Sequence, residues 1–269
     1  MTQIRKPTVA GQFYPGSKAE LLREVQGFLG HDAKRTRALG VIAPHAGYMY
    51  SGAVAGAVYA RVEVPRKVIV LCPNHTGFGA ALSIISEGSF RTPLGDVPID
   101  HALGEALKAG FALLREDPAA QIREHAVEVQ LPFLQTVRSD FSFVPITVGT
   151  GQLEVLMALG VVMAKVIAEC GEPVLIVASS DMNHYEEDAE TRVKDALAIE
   201  QVLSLQPQGL FRAVREHNVS MCGVGPAVAM LTAAIRLGAT SAELVKYATS
   251  GDVSGDHDQV VGYAGVIVT

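Results

Sequence analysis

Tryptophan is absent from the 269-residue chain, and aromatic residues make up only 6% of it. Stacking platforms for single-stranded nucleic acid are therefore not expected. A basic excess is missing too: 22 lysines and arginines stand against 28 acidic residues, for a net charge of −6. Nothing marks the electrostatic footprint that phosphate binding requires, so nucleic acid is not an expected partner. The three cysteines, Cys72, Cys170 and Cys222, are odd in number and widely spaced, which argues against a disulfide framework. The longest apolar run, residues 155–164, lies between Glu154 and Lys165. It falls short of the ~20 residues a bilayer span needs, so no membrane association is expected. The N-terminal stretch MTQIRKPTVAGQFYPG lacks an apolar signal core, and the expected location is the cytoplasm.

What is present is a large apolar fraction, 49%, with only 19% charged residues, the balance of a globular chain with a sizeable core. Residues 17–29 read as a helix capped by Ser17, with Glu20 three residues on. The β-branched runs ALGVIAP and KVIVLCP stop at Pro44 and Pro73 and suit strands covered on both faces. ALSIISEGSFRTPLGDVPID reads as strand, turn, strand, with the turn at residues 94–96, a hairpin expected to make the central sheet mixed. HALGEALKAGFALL is helical by its apolar spacing, and REHAVEVQLPFLQTV reads as a helix kinked or restarted at Pro132. A strand FSFVPITVG, a buried helix GQLEVLMALGVVMAKVIAEC and a strand EPVLIVASSDMNH follow. Helices are expected over 186–203, 208–217 and 224–237, and AELVKYATSGD and VVGYAGVIV as closing strands. Alternating strands and helices point to a single-domain α/β sandwich over residues 1–269, with a mainly parallel, mixed central sheet and helices on both faces.

In such a sheet, ligands bind beyond the carboxyl ends of the strands. Apolar runs end there with His45, with His75, and with the polar string from Ser179 to His184. Neighbouring strands lie about 5 Å apart, so two adjacent strands can bring imidazoles to one ion. A lone histidine after a strand is more often a loop residue with a local hydrogen bond; three at equivalent ends raise a shared site to even odds. Cys222 precedes a glycine turn and an apolar helix, a setting that favours thiolate, although a free cysteine is more commonly a small buried hydrophobe. That bland reading is preferred for Cys72 and Cys170. His125 and Glu128 share the spacing of one helix face and could chelate, or merely cap a surface. TSGDVSGDHDQVVGYAG reads as a substrate-contacting loop or a long turn, and His31, His101, His217 and His257 receive no role.

Taken in order, AGQFYPG, APHAGYMYSG, PNHTG, EHAVEVQLPF, SSDMNHY, MCGVGP and YATSGDVSGD…VVGYAG resemble the Memo family, whose bacterial and archaeal members are often called AmmeMemoRadiSam system protein B. The resemblance covers nearly the whole chain. It implies a fold similar to that of class III extradiol ring-cleavage dioxygenases, which hold non-haem Fe(II) with two histidines and a glutamate. It further implies His45, His75 and Cys222 as metal ligands, His184 and Asp181 as catalytic residues, with His184 as acid/base oriented by Asp181, and Tyr50 and His125 as substrate-binding residues. Iron(II) is the first expected metal, with copper or zinc as alternatives, because a thiolate in place of a carboxylate is a softer donor. The implied ligand is a small molecule or a peptide-like segment, with a functional link to radical-SAM and AMMECR-type proteins. Three functions compete: a dioxygenase-like metal-dependent oxidoreductase, a non-catalytic metal- or peptide-binding module with a vestigial pocket, and a metal-free enzyme with Cys222 as nucleophile and His184 as base.

Overall fold

The structure, a computed structural model, describes residues 3–30 and 34–269, so His31 lies outside the described residues. In chain order the elements are β1 (Ile4–Arg5), α1 (Lys18–Leu29), β2 (Gly40–Ala43), α2 (Tyr48–Ala60), β3 (Lys67–Pro73), β4 (Leu82–Ile84), β5 (Ser89–Thr92), β6 (Gly95–Pro98), α3 (His101–Gly110) and β7 (Arg115–Glu116). There follow α4 (Leu131–Val137), β8 (Ser142–Val148), α5 (Leu153–Cys170), β9 (Val174–Ser179), β10 (His184–Glu186), α6 (Asp188–Leu203), α7 (Pro207–Glu216), α8 (Val224–Arg236), β11 (Ala242–Thr249), α9 (Gly251–Ser254) and β12 (Val260–Val268).

The central sheet runs β10-β12-β2-β9-β3-β8-β4-β7, with β11 also paired to β12. Its heart is parallel: β2 pairs β9, β9 pairs β3, and β3 pairs β8. Antiparallel β12 closes one side and antiparallel β4 the other, so the sheet is mixed. The β-branched runs are buried on both faces because helices cover both. Val41, Val68, Val70, Leu175 and Val177 pack with Leu21 and Val25 of α1 and with Tyr48, Val58 and Phe133 of α2 and α4. The alternate residues Ile42, Ile69, Leu71 and Ile176 pack with Leu156, Leu159 and Met163 of α5 and with α8. Among the described residues, no helix is long and apolar enough to cross a membrane.

Two expectations about this frame need correcting. The 81–100 segment does not put a hairpin into the central sheet. Only β4 joins it, while β5 and β6 form a hairpin in a separate three-stranded sheet with β1, turning over Pro93-Leu94 because Thr92 pairs with Gly95. The 123–137 segment is not one helix. Residues 124–127 form a turn, Glu128–Gln130 a short 3₁₀ segment, and the α-helix starts only at Leu131. Pro132 in that helix's first turn has no N–H to give and so fits a helix start better than a helix interior. The helix α2 was not anticipated from the sequence: it has no charged residue, and even its outward face carries Met49, Ala53 and Ala57, so no amphipathic period betrays it.

Candidate functional site

β2 ends at Ala43 and continues through Pro44 to His45, and β3 ends at Pro73 and continues to His75. These strands are not neighbours: β9 runs between them, which places them two strand spacings, about 10 Å, apart. The loops after the two prolines lean over Ser179 at the end of β9 and bring the rings of His45 and His75 to 5.2 Å. A third imidazole, His125, comes from the 124–127 turn. Its ring centroid lies 5.5 Å from that of His45 and 4.9 Å from that of His75, nearly parallel to the latter. One nitrogen from each of His45, His75 and His125 lies within 4.8 Å of the others.

Hydrogen bonds set the proton on each ring. The Ser179 hydroxyl donates its only proton to the Ala126 carbonyl at 2.7 Å and accepts the Gln130 amide at 2.8 Å. His45 Nδ1, 2.9 Å from the same oxygen, must therefore be the donor, which leaves a lone pair on Nε2. Gln130 also donates to the Ala43 and Pro44 carbonyls and accepts the Tyr59 hydroxyl, fixing the end of β2. Glu124 does the corresponding work for the other two rings. Fully buried, it accepts the His75 N–H at 2.8 Å, His75 Nδ1 at 3.0 Å, and the N–H groups of His125 and Ala126 at 2.9 and 3.0 Å. His75 thus also keeps Nε2 free, in the carboxylate–histidine pairing that orients metal ligands. His125 Nδ1 faces the same carboxylate at 3.5 Å.

The electrostatics agree with this assignment. Burial alone would push the Glu124 carboxyl up, but His75 and the backbone donors outweigh it and hold it at about 2. Burial lowers His45 well below the ordinary histidine value, helped by the neighbouring charges of His125 and His75. It lowers His125 too, against the pull of Glu124. At His75 burial also opposes the charge, but the Glu124 hydrogen bond and charge overcome it and the value is raised. Two neutral imidazoles and a carboxylate-backed third make a donor set suited to iron, copper or zinc.

Cys222 lies at the rim of this group. Its sulfur is 3.3 Å from His45 Nε2 and 3.7 Å from the Asp181 carbonyl, but it does not fall within the 4.8 Å group formed by the three histidines. The glycine after it permits this approach: a Cβ on Gly223 would sit 2.3 Å from Ser180 Cβ and 2.5 Å from the Ser179 carbonyl. The thiolate expected from the helix start is not favoured here. Burial, and then the Asp181 carboxylate, push the thiol well up, so the S–H donates to His45 Nε2.

Asp181 is buried and accepts the His45 N–H at 2.7 Å; burial raises its carboxyl. His184 is not oriented by Asp181: its Nδ1 lies 3.0 Å from the Ser220 carbonyl and its N–H donates to Ser220 Oγ at 2.7 Å. Tyr50 stands half-buried in the first turn of α2. The His125–Glu128 chelate does not form, because Glu128 turns away to bind Arg5, the Thr8 and Val9 N–H groups and the Tyr14 hydroxyl. Arg5 also donates to the Glu124 and Gln121 carbonyls and so ties the N-terminal segment to the site loop. The 250–259 connection leads into β12 and is anchored by Asp252 to Arg192 of α6. Cys72 is buried beside Thr147 and Gln121, a packing role.

Sequence reasoning passed over Glu124, Gln130 and, as individual actors, Ser179 and Ser220. Glu124 carried a faint signal as an acid directly before a candidate histidine. The others had none, since their partners are distant in sequence: Ser179 and Gln130 meet at the end of β9, and Ser220 meets His184.

A family profile described as "Memo-like protein" matches residues 5–267. A MEMO1 family protein from Methanopyrus kandleri is 42% identical over 277 residues, covering 98% of each chain. One from Methanosarcina mazei is 41% identical over 268 residues, covering 99% of each, and one from Pyrobaculum aerophilum is 39% identical, covering 98% of this chain and 99% of its own. The crystal structure of an uncharacterized protein from Escherichia coli K12 superposes with a TM-score of 0.55 at 12% identity, covering 86% of this chain and all of the other, a likeness of fold.

Proposed function

The chain belongs to the Memo-like protein family, and from that premise and the site geometry we propose that it is a metal-dependent oxidoreductase, dioxygenase-like in its pocket, acting on a small molecule. The observation that carries this reading is the convergence of His45, His75 and His125 within 4.8 Å, with hydrogen bonds that put the proton of the neutral His45 and His75 rings on Nδ1 and leave Nε2 to bind a metal. Iron(II) is the first choice of metal, with copper or zinc as alternatives. When bound, the metal supplies Lewis acidity and, for iron or copper, one-electron chemistry. The protein's own groups do the rest. Ser179 and Glu124 hold the imidazoles in orientation. Cys222 lies close enough to His45 to join or leave the metal's surroundings. His184, with Nδ1 bonded to the Ser220 carbonyl, presents Nε2 as an acid/base group. Asp181 fixes the His45 backbone, and Tyr50 borders the space a substrate would fill. A cytoplasmic location and a functional link to radical-SAM and AMMECR-type proteins belong to the same proposal; fractionation and co-purification test them. Metal analysis of protein purified without oxygen tests the site itself. About one ion per chain, lost in His75→Ala, supports it; no uptake of Fe(II), Cu or Zn refutes it.

A second reading is favoured by the 3.3 Å contact of Cys222 with His45 Nε2. Thiol against imidazole is the pairing of a nucleophile with its base, which would make this a metal-free Cys–His site with His45, not His184, as base. Rapid, selective alkylation of Cys222 in chelator-treated protein, abolished by His45→Ala, supports that reading; slow or unselective alkylation excludes it. A non-catalytic module would show neither turnover nor selective alkylation while still taking up metal or a peptide-like ligand.

A further inference from the structure

Behind His184 lies a buried asparagine whose polar atoms are all engaged. Asn183 has no exposed surface. Its side-chain oxygen accepts the Ser220 N–H and the Ser220 hydroxyl, each at 3.0 Å. Its side-chain amide donates to Glu186 at 2.7 Å and to Thr191 at 3.3 Å. Its backbone N–H donates to the buried Asp195 at 2.9 Å, and its carbonyl accepts the Gly262 N–H of β12 at 2.9 Å. The side chain therefore grips the chain on both sides of His184 and Tyr185: Ser220, which holds His184 by two bonds, and Glu186, which Lys194 also holds at 2.6 Å.

The segment between these grips is under constraint. Tyr185 adopts φ of 59°, a left-handed conformation that aromatic side chains rarely take, while its ring stays 71% exposed. It is the extra residue in the pairing with β12, where His184 faces Val261 and Glu186 faces Val260. Such a conformation persists only where the surroundings over-determine it, and no burial of the ring provides that here. The grips on either side do.

We infer that Asn183 is a positioning residue that, by clamping Ser220, fixes His184 as the Nδ1–H tautomer and so keeps Nε2 as its proton acceptor. A backbone carbonyl has no proton to give, so whichever neutral tautomer occupies the 3.0 Å contact must carry its hydrogen on Nδ1. Ser220 itself is exposed, and without Asn183 its N–H and hydroxyl have no buried partner to hold that carbonyl in place. The inference rests on His184 being the acid/base group of the proposed function, but it can fail separately, because tautomer state is read without turnover.

The experiment is long-range ¹H–¹⁵N NMR of histidine-labelled, chelator-treated protein at a pH where His184 is neutral. Wild type is expected to show Nδ1–H as the major His184 tautomer. Asn183→Ala is expected to lose that majority. Ser220→Ala keeps the backbone carbonyl and the Ser220 N–H bond to Asn183, and is expected to retain it. A wild type with Nε2–H as the major form overturns the inference whether or not any variant folds. A folded Asn183→Ala that keeps the wild-type tautomer also overturns it. Loss of activity in His184→Gln, measured separately, bears on the acid/base role alone.

Discussion

Replacing Glu124 by glutamine removes a charge buried beneath the histidine cluster. In the chelator-treated protein that carboxyl is held at about 2 instead of the ordinary 4.5. At about 1.4 kcal/mol per factor of ten in proton affinity, this corresponds to about 3 kcal/mol of folding stability when the pair is fully developed. The sign follows from the direction. A depressed carboxyl contributes stability that is complete above pH 4.5 and disappears as pH falls towards 2. His75 carries the other half of the same interaction, and its raised value means that its share is complete below 6.5 and declines as pH rises through the folded value. The stability gap between wild type and Glu124→Gln should therefore open between pH 2 and 4.5, hold at about 3 kcal/mol between about 4.5 and 6.5, and narrow above that. Urea unfolding of both proteins at several pH values between 3 and 8 measures it. A gap under ~1 kcal/mol at pH 5.5, or one that does not vary with pH, would refute the account of Glu124 as an ionised anchor.

Asp195 should produce the opposite trend. Burial, only partly offset by the Tyr247 hydroxyl, raises its carboxyl to about 6. A raised carboxyl contributes stability below 3.8 that is lost as pH climbs through 6, by up to about 3 kcal/mol; Asp195→Asn should lack that decline in the same urea titrations. Ser179→Ala removes the acceptor that sets the His45 proton and should weaken metal affinity by about 10–100-fold, the usual effect of losing such a support, as read by competition with a chromophoric chelator. Gly223→Ala drives a methyl to 2.3 Å from Ser180 Cβ and should cost about 1–3 kcal/mol in thermal unfolding; an unchanged melting temperature would show that the loop yields freely.

Much of this molecule was legible in the sequence because the strands that matter are buried on both faces. KVIVLCP and EPVLIVASS had to be interior strands, and prolines and polar residues at their ends placed His45, His75 and Asp181 at one edge. The boundaries of α6, α7 and α8 fall within two residues of the expected ones. Strand order was not legible: periodicity reports which face a residue takes, not which strand lies beside it. Adjacency of the strands that carry His45 and His75 is therefore only a condition in the sequence reading, and Ser179, seated between them, has no assigned role in orienting His45. The same gap hid Glu124 and Ser220, whose partners are distant in sequence, and it paired His184 with Asp181 when its hydrogen bonds go to Ser220. Helix α2 escaped because its outward face is apolar too, with Met49 exposed, and so no polar face marks its period.

The most direct test of the central claim compares metal content in His125→Ala and Cys222→Ser, both purified without oxygen beside wild type. With His45, His75 and His125 as the holding group, His125→Ala loses the ion while Cys222→Ser keeps it. Retention in His125→Ala together with loss in Cys222→Ser would contradict the three-histidine centre and place the sulfur in it instead.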